Sequence, residues 1–104
     1  MKYYGGISII MNDVTKEMIN KYGEDLQLDV SVEELSELIK EVIKYKRTKR
    51  LGGSYDFKHM AEELADVIVV SEIIYTVLEN NGISREQVDE LVNYKFNRTK
   101  ERYL

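Results

Sequence analysis

The 104-residue sequence contains no cysteine, no proline and no tryptophan, and a single histidine, His59. Without cysteine there is no disulfide framework, no zinc–thiolate centre and no thiol nucleophile. One histidine leaves no second imidazole for a histidine-built metal site. A basic excess is missing too: 15 Lys and Arg stand against 19 Asp and Glu, for a net charge of −4. A nucleic-acid binder carries a basic patch or stripe, so no nucleic acid polymer is expected as a partner. No apolar run approaches the roughly 18 residues of a membrane span. The opening Met1-Lys2-Tyr3-Tyr4-Gly5-Gly6 also lacks the apolar stretch of a secretory signal. A soluble, cytoplasmic protein with no membrane partner is the expectation.

With proline absent, six glycines punctuate the chain. Helical spacing of Met11, Val14, Met18, Ile19 and Tyr22 predicts a first helix over about residues 12–22, closed by Gly23. A second runs from Asp25 or Leu26 to Lys46, before Gly52-Gly53. Asp56 suits the N-cap of a third, which ends near Asn80-Asn81 with Gly82 in the left-handed closing position. Ser84, with Gln87 three residues on, forms a capping-box pattern for a fourth helix reaching about Tyr103. In residues 1–10, Ile7, Ile9 and Ile10 are compatible with a strand or with simple packing. No repeat or linker interrupts the chain, so residues 1–104 read as one all-α, four-helix domain with an uncertain segment at 1–10.

The distribution of side chains around each helix says more, at about 100° per residue. On the second helix Val32, Leu35, Leu38, Ile39, Val42 and Ile43 make one apolar arc, bordered by Glu34, with Glu37 and Glu41 beyond. This predicts an ordinary half-buried helix. On the third, Leu64, Val67, Ile68, Val69, Val70, Ile73, Ile74, Tyr75, Val77 and Leu78 cover almost the whole circumference. A helix that is apolar all round is buried on all sides. Three other helices in so short a chain hardly suffice, which predicts a bundle completed by oligomerisation, as a homodimer or tetramer.

Within that apolar helix Glu63 and Asp66 lie three residues apart, on one face. Buried carboxylates must be neutralised, paired or bound to a metal. Helix-dipole stabilisation fades after the first turn, and Asp66 lies well past it. On the second helix Glu34 and Glu37 repeat the same spacing within Glu33-Glu34-Leu35-Ser36-Glu37. Antiparallel packing of the two helices would bring four carboxylates together, and their repulsion calls for a hard cation between them. Oxygen-only ligands favour magnesium, manganese or calcium over zinc. Magnesium, with manganese as a substitute, keeps water and phosphate ligands and suits an open site. Spacing alone is weak, since 13 glutamates generate such pairs by chance. Glu86-Gln87-Val88-Asp89 shows this, falling in the first turn of the fourth helix, where dipole and solvent explain it.

Glu33-Glu34-x-x-Glu37 and Glu63-x-x-Asp66, with 25 residues between Glu37 and Glu63, resemble the EExxE…ExxD pattern of MazG-like nucleoside triphosphate pyrophosphohydrolases. That all-α superfamily includes dimeric dUTPases and dCTP pyrophosphatases. The resemblance covers about residues 22–98, including Gly23-Glu24-Asp25-Leu26-Gln27-Leu28, Glu62-Glu63-Leu64-Ala65-Asp66-Val67 and a basic last helix with Lys95, Asn97 and Arg98. It implies magnesium-dependent cleavage between the α and β phosphates, giving a nucleoside monophosphate and pyrophosphate. Nucleotide-pool house-cleaning of dNTPs or non-canonical NTPs is the implied role.

The residues fit that chemistry independently. Magnesium held by Glu34, Glu37, Glu63 and Asp66 would neutralise a triphosphate and acidify a bound water. Glu37 or Glu34 would accept the proton. Lys95, Arg98 and Arg102 share a face and are candidates to hold the β and γ phosphates, with Asn97 a further phosphate or sugar contact. A solvated basic helix end explains the same residues without substrate. For Lys44-Tyr45-Lys46-Arg47-Thr48-Lys49-Arg50 the alternatives are a dipole-matched helix end or a mobile basic loop closing over the triphosphate. Gln27 offers an amide for base-edge recognition, although a glutamine at a helix start is ordinarily a surface residue. His59 is expected to be exposed and without a role. Two other classes compete. A non-catalytic helical dimerisation module leaves Glu63 and Asp66 unneutralised. A di-iron bundle needs Glu-x-x-His pairs, which are missing.

Overall fold

A computed structural model describes the backbone of residues 6–104 and the side chains from Ile10 onward. It contains four helices: α1 (Gly6–Tyr22), α2 (Glu24–Arg50), α3 (Phe57–Asn80) and α4 (Arg85–Tyr103). The expected all-α, four-helix architecture is therefore present. Helix α1 starts six residues earlier than the periodicity suggests. The alternative of a strand is thereby removed for residues 6–10; the reading of residues 1–5 lies outside the described residues.

Each helix ends where local chemistry stops it. Gly23 has φ 92°, closes α1 with its amide donating to the Ile19 carbonyl at 2.8 Å, and starts α2 at once. Helix α2 outlasts its predicted end at Lys46 by four residues. Its close is a Schellman arrangement: the Gly52 amide donates to Lys49 and the Gly53 amide to Thr48. The basic run at 44–50 is thus a helix end facing the negative pole of the dipole, with Glu24 and Asp25 at the other pole. The basic-loop alternative is overturned. Helix α3 is capped by Asp56, whose carboxylate accepts from the Lys58 amide at 3.0 Å. It ends in a second Schellman arrangement, Gly82 amide to Glu79 and Ile83 amide to Leu78, with Gly82 at φ 87°. The expected capping box of Ser84 and Gln87 opens α4.

Helices α1, α2 and α3 pack together, with α2 against α3 as the dominant pairing; α4 leaves this body after its first turn. The five residues buried in one chain are Ile73, Gln27, Ser31, Glu72 and Thr76, among the described residues. Four of them are polar. Ser31 and Thr76 satisfy their hydroxyls on the carbonyls of Gln27 and Glu72, one turn back. Most of the apolar arc expected to half-bury α2 points outward: Val32 is 62% exposed and Ile39 60%, with Leu35, Val42 and Ile43 also exposed, and Leu38 alone half-buried. Buried Gln27 and Ser31 lie at one edge of that arc, on either side of Leu38. On α3, Leu64, Val69 and Ile74 remain exposed, so the helix that is apolar all round is not enclosed by its own chain.

Candidate metal centre

Helices α2 and α3 bring Glu34, Glu63 and Asp66 together. Each offers a carboxylate oxygen, and the three oxygens lie within 4.8 Å of one another. The arrangement follows from the sequence: Glu63 and Asp66 share one face of α3, and Glu34 stands on the side of α2 that packs against it. Glu34 and Glu63 are half-buried and Asp66 is exposed.

Neither half-buried carboxyl is relaxed in its ionised form. The Glu34 pKa is raised above the usual 4.5, first by partial loss of water and then by the charges of Asp66, Glu63, Glu33 and Glu37. Glu63 is raised likewise, by desolvation, then by Asp66, Glu37, Glu41 and Glu62. Among the described residues no Lys or Arg pairs with any of the three. Three convergent oxygens, mutual repulsion and no internal counter-ion fit a hard divalent cation with open positions left for water or phosphate.

Glu37 lies one turn beyond Glu34, near enough for its charge to act on both Glu34 and Glu63, but outside the close set. It pairs with Lys40 at 3.4 Å on the surface. Lys95, Asn97 and Arg98 are exposed on α4. Among the described residues the ion pair joining α4 to the body is Arg85 with Glu72, so one chain does not bring the α4 cations to the acids. Arg98 lies over its neighbour Tyr94, 5.7 Å from the ring centroid. Gln27 is buried, only 6% exposed, not the surface residue its position suggests. His59 is exposed, with Asp56 at 3.9 Å.

Two features escaped the sequence reading. Glu72, another carboxylate of α3, is completely buried. The Arg85 guanidinium donates to both its oxygens, through Nη1 to Oε1 at 3.2 Å and through Nη2 to Oε2. The same guanidinium stacks 3.9 Å from the centroid of Tyr75. A charge amid an apolar run signals a cationic partner, and Arg85 opens the next helix. The second feature is Tyr55, whose hydroxyl bonds Glu41; sequence spacing gives no cue for a contact across a turn.

No curated protein and no solved structure matches the chain significantly. The sequence model of the MazG nucleotide pyrophosphohydrolase domain does match, over residues 23–103. That span holds the whole of α2, α3 and α4, both acidic pairs and the turn between them. The chain belongs to the MazG nucleotide pyrophosphohydrolase family.

Proposed function

We propose that this chain hydrolyses nucleoside triphosphates, dNTPs or non-canonical NTPs, to a monophosphate and pyrophosphate in a magnesium-dependent reaction that cleans the cytoplasmic nucleotide pool. The convergence of Glu34, Glu63 and Asp66 carries this reading, together with membership of the family. An acidic surface repels a triphosphate, so these carboxylates serve such a substrate only as holders of cations. Magnesium, or manganese in its place, would be held by Glu34, Glu63 and Asp66, with Glu37 on the flank; it supplies charge neutralisation and a more acidic water. Water attacks the α phosphorus, the bond to the bridging oxygen breaks, and pyrophosphate leaves. Glu37, or Glu34 where it is not engaged, takes the proton.

Lys95, Arg98 and Asn97 are assigned to the departing phosphates. Their helix does not reach the acids of its own chain, so this role requires a second copy to present α4. Homodimerisation, or pairing of dimers, is supported by the exposed apolar faces of α2 and α4. A panel of canonical and modified (d)NTPs with magnesium tests the activity. The expected result is pyrophosphate and monophosphate in equal amounts, and no turnover with EDTA. A nucleoside diphosphate as the first product overturns the assignment. No turnover of any triphosphate, with a well-folded oligomer, favours the helical interaction module.

A further inference from the structure

The acidic face of α2 continues past Glu37 to Glu41, and the segment between α2 and α3 reaches back to it. The Tyr55 hydroxyl donates to Glu41 Oε1 at 2.5 Å. Its ring is held in turn. Tyr55 packs against Tyr45 and edge-on against Phe57, each with centroids 5.1 Å apart, and Tyr45 and Phe57 lie 4.9 Å from each other. Three rings, from the end of α2, the connecting segment and the start of α3, thus fix where the hydroxyl points. Glu41 needs such a tether. Its charge and that of Glu63 oppose one another, and an untethered glutamate turns toward water. Burial, then the hydrogen bond to Glu41 and its charge, push the Tyr55 phenol up to about 12, so it remains a donor at ordinary pH. Among the described residues no Lys, Arg or His pairs with Glu41.

We propose that Tyr55 is a positioning residue: its hydroxyl holds Glu41 at the rim of the acid cluster, where that carboxylate strengthens divalent-cation capture by Glu34, Glu63 and Asp66 without ligating the ion. The inference rests on the reading of those three residues as a metal site. A carboxylate several ångström from a divalent ion attracts it through a mostly aqueous medium, which corresponds to roughly three- to tenfold in affinity.

The test is magnesium and manganese binding to the full chain by calorimetry, with melting temperatures measured without metal. Tyr55→Phe removes the hydroxyl and keeps the ring, so its metal-free melting temperature should stay close to wild type. Glu41→Gln should weaken binding roughly three- to tenfold, Tyr55→Phe by a smaller factor, and the double variant no more than Glu41→Gln. Should Tyr55→Phe fail to fold, Glu41→Asp shortens the tether while keeping the charge and should weaken binding as Tyr55→Phe would. Unchanged affinity in Tyr55→Phe, or in Glu41→Asp, overturns the proposal. So does additive weakening in the double variant, or complete loss of binding in Glu41→Gln, the behaviour of a ligand. Glu34→Gln is measured beside them. If it binds magnesium as tightly as wild type, the metal-site reading itself has failed, a result distinct from failure of the Tyr55 role.

Discussion

Glu34 and Glu63 sit in surroundings that disfavour their charged forms. Both are desolvated in part and surrounded by like charge, a cost the folded protein carries unless a cation relieves it. Glu34→Gln removes one charge and keeps the shape. It should therefore leave the metal-free melting temperature unchanged or raised, while abolishing the increase that millimolar magnesium should give wild type by binding the folded state alone. A variant that melts far lower without metal would show that Glu34 is structurally paired. The pH dependence follows from the same shifts. A carboxyl whose folded pKa is raised binds more protons in the native than in the unfolded state over the interval from 4.5 up to the folded value. Through these two groups, metal-free protein should gain stability as pH falls through that interval and lose it as pH rises. Saturating magnesium should flatten or invert that slope. Melting temperature against pH, with and without magnesium, reads both.

At the scale of the helices, an ion pair with its acid fully buried ties α4 to α3. Glu72 is fully buried, and Arg85 both forks onto it and stacks on Tyr75. Arg85→Ala strands an unpaired buried charge and should destabilise the fold by about 3–5 kcal/mol. Glu72→Gln combined with Arg85→Met, which removes both charges, should cost much less. Chemical denaturation of the single and double variants measures the difference; equal losses in the two would contradict the pairing. Helix boundaries were largely legible in the sequence because they are written in local chemistry: Asp56, Ser84 with Gln87, Gly23 and Gly82 all cap as their spacing suggests. Of the four carboxylates expected to converge, Glu34, Glu63 and Asp66 do, on two helices that had to pack, whereas Glu37 stands outside the close set. Less legible was the rotation of α2. The centre of its apolar arc suggested the inward face, whereas only the edge shared by Gln27, Ser31 and Leu38 turns inward and the rest points out. Periodicity identifies an apolar face but not whether its own chain or another covers it. Tyr55 and Glu41 were invisible for a related reason, since their contact depends on the path of the α2–α3 connection.

For the molecule as a whole, one chain exposes 8065 Å². A folded monomer of 12.2 kDa is expected to expose about 6,100 Å². The radius of gyration, 16.5 Å, exceeds the approximately 13 Å expected for this length. Exposed apolar side chains on the outward arc of α2 and on α4, among them Leu91, Val92 and Phe96, contribute to that area. An excess on the order of 2,000 Å² per chain matches what extensive obligate interfaces bury. A second copy that covers α2 and receives α4 would account for it. Sedimentation at micromolar concentration should show a dimer or a dimer of dimers. Ile39→Asp, a charge in the middle of the arc, should shift the population to monomer and lower the melting temperature. A wild-type chain that sediments as a folded monomer would refute this.

On the proposed reading, the three convergent acids direct water to the α phosphorus of a triphosphate. Hydrolysis in ¹⁸O-labelled water, with mass spectrometry of both products, tests this most directly. With magnesium present, the label should appear in the nucleoside monophosphate, leaving the pyrophosphate unlabelled. Label in the pyrophosphate, or in orthophosphate released beside a nucleoside diphosphate, would contradict it.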